Sequence, residues 1–314
     1  MELSGYAGYL VFFLSTVSIY AILALGLNVQ WGLTGQINIG IAGFYAIGAY
    51  TTAILTGGAN PEHVGGFGLP FLVGAAAAIG LSGVIALLIG MITVNLRSDY
   101  LAIATIGIAE IIRFFFQNEE WLSHGVRGIA DIPRPFTDGK DSGLVFLAVV
   151  LVSLAIVYFL VERARLAPWG RVLRAIRDNE DATEAAGKNV RIFRLQAFVF
   201  GSAIMGFAGA LYAHFIGFIS PDAFEPVFAT FIVWVMLIAG GSGNNKGALL
   251  GSVVVWLVWS GTETLATRLP PEYATQASSA RVLLVGVLLQ IVLLTRPQGM
   301  LPEERPKPIA RRRD

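Results

Sequence analysis

The 314-residue chain has no cysteine and only three histidines, His63, His124 and His214. Without cysteine there can be no disulfide framework, thiolate metal site or cysteine nucleophile. The histidines lie far apart and match no metal-ligand spacing, so no metal centre is expected. Charge is scarce as well: 14% of residues are charged, where a soluble domain carries about a quarter. Lys and Arg number 22 against 21 Asp and Glu, and without an extended basic face nucleic-acid binding is excluded. The chain also lacks a Gly-x-x-x-x-Gly-Lys-Ser/Thr phosphate loop. The run Gly240-Gly241-Ser242-Gly243-Asn244-Asn245-Lys246-Gly247 has neither the glycine before the lysine nor the hydroxyl after it. It reads as a tight turn, and no cofactor is expected on this chain.

What the chain has is apolar length. Hydrophobic residues make up 55% of it, mean hydropathy is +0.68, and several runs reach the ~20 residues a helix needs to cross a bilayer. The expected spans are about 6–27, 31–55, 68–95, 99–117, 143–161, 195–219, 224–240, 247–267 and 280–295. The fold class is therefore all-α, a polytopic inner-membrane bundle of about eight to ten transmembrane helices. Spans 31–55 and 99–117 carry polar residues, and either could be a broken helix. The N-terminus has no basic stretch or early cleavage site, so the first run is expected to be a retained span. Small-residue runs such as Ala42-xxx-Ala46, Ala76-xxx-Gly80 and Ser202-xxx-Gly206-xxx-Ala210 should let helix backbones approach closely.

Orientation follows from the basic residues. On nine spans, Arg97, the eight in 162–194, Lys246 and the six from Arg296 onward fall on one side. That side is expected to be cytoplasmic, with the N-terminus outside and the C-terminus inside. The chain divides into a membrane half at 1–161 with about five spans, a cytoplasmic loop at 162–194, a second half at 195–296 with about four, and a basic tail at 297–314.

The 162–194 loop is patterned. Trp169, Val172, Leu173 and Ile176 form a one-faced helical stripe. Arg171, Arg174 and Arg177 occupy another face, suited to lipid headgroups. Asp181-Ala182-Thr183-Glu184 fits a capping box, and Ala185-Ala186-Gly187 follows with helix formers and a glycine stop. So short a helix needs packing to persist. It would suit docking into a partner protein, or it could rest on lipid.

Polar groups inside the spans need a reason, because an ionisable one costs at least about 2.5–3.5 kcal/mol. Glu110 and Arg113 are spaced to pair on one helix face, either beside a translocation path or as a structural ion pair. Gln36 and Asn38 interrupt the second span among glycines, for pore lining or for helix–helix hydrogen bonding. His214 is expected near the outer end of its span, as an interfacial anchor.

Several blocks carry a resemblance. Glu184-Ala185-Ala186-Gly187 resembles a degenerate EAA loop of ABC importer permeases. Tyr20 to Asn28 followed by Trp31 to Gln36 is similar to the start of the branched-chain amino-acid permease family, LivM type. The stretches Ile47 to Tyr50, Tyr100 to Thr105, Ala109 to Arg113, Arg174 to Glu180, Gly209 to His214, Phe218 to Pro221 and Arg296-Pro297-Gln298-Gly299 extend it across nearly the whole chain. Two places depart from the pattern, Asn38-Ile39-Gly40-Ile41 and Ser123 to Ile129.

The resemblance implies a non-enzymatic permease subunit in a bacterial inner membrane. It would carry branched-chain amino acids or a similar small polar solute delivered by a periplasmic binding protein. A sister permease would complete a heterodimer, and ATP would be bound by two partner ATPase subunits. Asp181, Glu184, Ala185, Ala186, Gly187 and Arg177 would couple to them, with Gln36, Asn38, Glu110 and Arg113 as path candidates. An ion- or proton-coupled secondary transporter is the alternative. It would want midplane acids and an internal repeat, and the sequence offers one paired acid.

Overall fold

The computed structural model describes residues 5–58, 64–135, 142–266 and 274–304. His63, Lys140, Arg268 and the basic residues from Arg305 onward lie outside them. Helices α1 (Gly5–Leu27), α2 (Ile41–Thr56), α3 (Phe71–Thr93), α4 (Ser98–Asn118), α6 (Ser142–Leu166), α9 (Val190–Ile216), α10 (Pro226–Gly240), α11 (Asn245–Ala266) and α12 (Ala274–Thr295) are the long ones. Each overlaps one of the nine expected spans, α2 covering only the later part of the second. Short helices α5 (Glu120–Ser123), α7 (Pro168–Asp178) and α8 (Glu180–Ala185) lie in the connections. Among the described residues the only pairing of extended backbone is an isolated bridge between Ile129 and Ile219. Among the described residues five segments are long and apolar enough to cross a membrane: Gly5–Gly32, Phe71–Thr93, Ser142–Leu166, Val190–Ile216 and Pro221–Gly240. The molecule is a multi-pass helical membrane protein.

α9 is the central post, packed against α1, α2 and α3. Its small residues make this possible. A Cβ on Gly209 would lie 2.1 Å from the Tyr45 carbonyl oxygen, and one on Gly201 would lie 2.6 Å from that of Gly26. The Ser202-xxx-Gly206-xxx-Ala210 and Ala42-xxx-Ala46 runs are buried in these crossings as expected. Ala76-xxx-Gly80 is not. Gly80 faces open space, and α3 instead packs through Gly74, Ala75, Ala78 and Ser82.

The second span departs from expectation. Residues 31–55 do not form one helix. α1 runs on through a π-helical turn at Asn28–Gly32, the backbone is irregular over 35–40, and α2 begins only at Ile41. Gly35, at φ +71°, takes the left-handed turn that ends the first helix, a conformation costly for other residues. The 99–117 span, by contrast, is one unbroken helix.

His214 lies two residues from the end of α9, near the end of its span as expected, and its side chain is buried within the protein. Its Nδ1–H donates to the Pro133 carbonyl at 2.6 Å, and Nε2 accepts from Thr52 Oγ1 at 2.9 Å. It therefore fastens the 129–134 loop to α2. The basic loops gather at the opposite end: Arg191 reaches Met91 O, Lys246 reaches Glu304, and Arg177 reaches Glu303. That convergence is what an odd number of crossings between Arg97 and the 162–194 loop, and again between that loop and Lys246, would not allow.

Candidate translocation face and coupling segment

The non-helical stretch 35–40 leaves backbone groups that would be costly unsatisfied inside a membrane. The surrounding helices satisfy them. Ile39 N–H donates to Thr105 Oγ1 of α4 at 3.0 Å, Trp234 Nε1 of α10 donates to Asn38 O at 3.0 Å, and Thr230 Oγ1 donates to Ile39 O at 3.2 Å. Gln30 is the hub. Its Nε2 donates to Phe198 O (2.8 Å) and Ser202 Oγ (3.0 Å) on α9, while its Oε1 accepts from Asn38 Nδ2 (2.8 Å). Asn38 Oδ1 accepts the Gly40 N–H at 2.7 Å, and Gln36 Nε2 donates to Arg194 O at 2.9 Å. Gln36 and Asn38 are thus both buried and spent on holding the break. Sequence reasoning missed Asn28, Gln30, Thr230 and Trp234. The polar Asn28-x-Gln30 pair in an apolar run was the available signal.

Beside the break, a cleft of about 300 Å³ is lined by Ile37, Ile39, Pro226, Thr230, Phe231 and Trp234. α4 flanks it and carries the ion pair expected from the sequence. Arg113 Nη2 lies 2.5 Å from Glu110 Oε1, and Nε lies 3.1 Å from Oε2. Arg113 also comes within 3.9 Å of Asp222, ahead of α10. Glu110 is about 18 Å along α4 at 1.5 Å per residue, and its side chain is 35% exposed. A carboxylate at that depth is not left facing hydrocarbon. This face belongs against a second protein surface or a water-filled path.

Removing one partner should hurt more than removing both, since a lone charge in a poorly solvated place is the costly state. Arg113→Gln is expected to cut uptake per transporter about tenfold, and the Glu110→Gln, Arg113→Gln double variant less. Uptake normalised to membrane level would check this, and a deeper loss in the double variant would rule it out.

At the basic end, α7 lies across the bundle. Leu173 and Ile176 are buried, and Trp169 Nε1 donates to Gln196 Oε1 at 2.8 Å while its ring meets Phe200 edge-on. Most of the expected stripe is therefore the packing face, while Val172 is only half-buried. The expected arginine face is only partly right: Arg171 is exposed, but the other two turn inward. Arg174 Nη1 donates to Arg165 O at 3.1 Å, and Arg177 donates to Gly32 O and to Glu303. These guanidinium groups are thus held by acceptors within the protein, two backbone carbonyls and the Glu303 carboxylate.

The capping box is also corrected. Asn179, not Asp181, caps α8, with Oδ1 accepting the Ala182 N–H at 2.9 Å. Asp181 sits inside the first turn and Glu184 near the last. The glycine stop stands, with Gly187 at φ +79° and open space around it. Thr183 is buried and Glu180 pairs with Arg194 at 2.9 Å, so α8 is pinned to the base of α9. Glu184, Ala185 and Ala186 remain exposed. Between α7 and α8 runs an open groove of about 590 Å³ whose walls include Val172, Ala175, Thr183 and Ala186. Among the described residues no group of His, Asp and Glu is placed to hold a metal ion.

Comparison with known proteins gives this geometry its context. Residues 9–293 match the family model described as branched-chain amino acid transport system / permease component. The chain is 33% identical to the high-affinity branched-chain amino acid transport system permease protein LivM of Escherichia coli, covering 92% of this chain and 69% of that protein. It is 30% identical to the probable LivM of Methanocaldococcus jannaschii, covering 91% of each. The Escherichia coli permease LivH is 25% identical over 90% of this chain and 92% of its own length. No solved structure matches. With the model spanning nearly the whole bundle, the chain belongs to the branched-chain amino acid transport system permease family.

Proposed function

We propose that this chain is the membrane-spanning subunit of an ATP-driven importer for branched-chain amino acids or a similar small polar solute. The observation that carries the reading is the family match over residues 9–293, together with α8, a pinned short helix presenting Glu184, Ala185 and Ala186 to solvent. The α4 face with Glu110 and Arg113 and the cleft at Trp234 form half of a translocation path, and a sister permease closes it. A periplasmic binding protein delivers the solute at the end where His214 fastens the outer loop. Two ATPase subunits hold the ATP and dock at the basic end around α7 and α8, in the cytoplasm of a bacterial cell, where the C-terminus also lies. The chain itself carries out no chemistry. It alternates between outward- and inward-open arrangements.

Affinity purification of the tagged chain from native membranes in mild detergent, with mass spectrometry, tests this. Two ATPase chains and a sister permease should co-purify, and uptake should stop on ATP depletion. A chain that purifies alone, with uptake sensitive to a protonophore but not to ATP depletion, would replace the reading with an ion-coupled transporter.

A further inference from the structure

The closing segment of the described chain is not a loose tail. After α12 it turns at Gly299 (φ +82°), where a Cβ would lie 2.4 Å from Gly241 Cα. It then pairs with the end of α10: Met300 N–H donates to Ala239 O and Leu301 N–H to Gly240 O, both at 2.9 Å. Asn244 Nδ2 donates to Pro302 O at 2.9 Å. Only glycine fits at positions 241 and 299 because the two backbones touch. The Arg296-Pro297-Gln298-Gly299 block thus builds a strap across the 240–245 turn, and the strap delivers Glu303 and Glu304 to a fixed place.

That place is where the coupling segment meets the broken helix. The Arg177 guanidinium from α7 donates to Gly32 O, the last residue of the π turn, and to Glu303 at 2.8 Å. Gly35 and Gly243 leave it room: a Cβ on Gly35 would lie 3.2 Å from Arg177 Cγ, and one on Gly243 would lie 2.9 Å from Glu303 Cδ. A ring of polar contacts closes around the site. Asn28 Oδ1 accepts the Gly243 N–H and Asn28 Nδ2 donates to Asn245 Oδ1, both at 2.8 Å. Asn245 Nδ2 donates to Glu162 Oε2 at 2.7 Å, and Glu162 pairs with Arg165 at 2.5 Å. Arg165 lies 3.7 Å from Glu304, which Lys246 contacts at 3.0 Å. The hydrogen bond from Lys246 holds the Glu304 carboxyl below its usual range. Arg177 Nε also donates to Asp178 Oδ1 at 3.2 Å, on its own helix. A fork-shaped guanidinium whose two terminal nitrogens find acceptors on different elements transmits displacement better than one long-range charge contact, because the bonds are directional.

We propose that Arg177 and Glu303 form a clasp by which the C-terminal strap locks α7 to the Gly32 end of the broken helix, so that movement of the coupling segment is transmitted to the translocation path. Arg177 is a positioning residue here: it touches no solute. Glu303 serves to hold its second arm. The proposal rests on the reading of α7 and α8 as the ATPase-coupling segment, and adds the route inward from it.

The test uses the complete transporter, with its sister permease, ATPases and binding protein, in proteoliposomes. The readout is labelled leucine moved per ATP hydrolysed. Glu303→Gln and Arg177→Gln should each lower that ratio about tenfold, within the range of ordinary coupling free energies. The double variant should lower it no further, since residues acting as one unit do not add. A purely structural role would instead reduce the amount of assembled transporter, with uptake and hydrolysis falling together at a constant ratio. An unchanged ratio in Glu303→Gln, or losses that multiply in the double variant, would overturn the clasp. Should Glu303→Gln not assemble, Glu303→Asp keeps the charge but shortens the arm, and an unchanged ratio there overturns it too. Failure of the underlying reading looks different: Glu184→Arg would then keep full uptake.

Discussion

Gly48→Leu is expected to lower the amount of folded protein in the membrane at least about tenfold. A Cβ at Gly48 would lie 1.9 Å from the Gly206 carbonyl oxygen and 2.6 Å from Gly206 Cα. Those atoms are backbone, so no side chain can swing away, and α2 and α9 would have to separate along their whole crossing. Overpacking a filled core costs about 1–3 kcal/mol even where side chains can adjust; here they cannot. In lipid, where no hydrophobic drive holds helices together, this close packing is itself the main attraction. Gly80→Leu is the matched control. Gly80 is also a mid-helix glycine, but nothing lies within 4 Å of its added Cβ, and leucine is the better helix former. It should reach the wild-type level. Immunoblots of membrane fractions and size-exclusion profiles in mild detergent measure both. Equal levels for the two variants would mean the α2–α9 contact does not support the fold.

The contrast between Gly48 and Gly80 also shows what the sequence could reveal. Apolar length located nine helices, because crossing a bilayer imposes a length that the chain cannot hide. Small-residue runs look alike wherever they occur, and whether such a run packs or faces outward depends on helix rotation, which is set by neighbours far away in the chain. The broken second span was half legible. Gln36 and Asn38 announced an interruption, but the π turn at Asn28–Gly32 that carries α1 past its expected end leaves no apolar-period signal. The arginines of α7 show the same limit. The partners of Arg177, Gly32 and Glu303, are 145 and 126 residues away, so a helical wheel alone cannot tell its place from that of the exposed Arg171. At α8 the sequence pattern pointed to Asp181 as the cap, two residues too late. The extended backbone at Asn179, φ −158° and ψ 103°, puts the cap there, because α7 ends at that point. Glu110 and Arg113 needed nothing distant, and an i,i+3 pair was readable directly.

Gly187→Trp and Glu184→Arg are expected to reduce uptake to background while the protein stays at its normal level in the membrane. Glu184 sits on the exposed side of α8 and Gly187 just past its end, both away from the packing contacts at Thr183 and Glu180, so neither disturbs the bundle. Glu184→Arg reverses the charge that α8 presents. Gly187→Trp adds an indole to the proposed docking surface, and also forces a non-glycine residue to φ +79°, which costs about 1–2 kcal/mol. Gly187→Asn separates the two effects. Asparagine visits the left-handed region more readily and adds little bulk, so it should keep most of the uptake if docking, rather than backbone strain, is what matters. The size of the expected loss follows from how α8 is held. A six-residue helix has too few hydrogen bonds to stand alone; this one is capped by Asn179, anchored through Thr183 and tied by Glu180 to Arg194. It is therefore a stiff lever on the base of α9, the post that α1, α2 and α3 all pack against. A partner that moves α8 moves that post, and one that can no longer grip α8 moves nothing. Normal uptake in Glu184→Arg and Gly187→Trp would place the ATPase contact elsewhere on the chain.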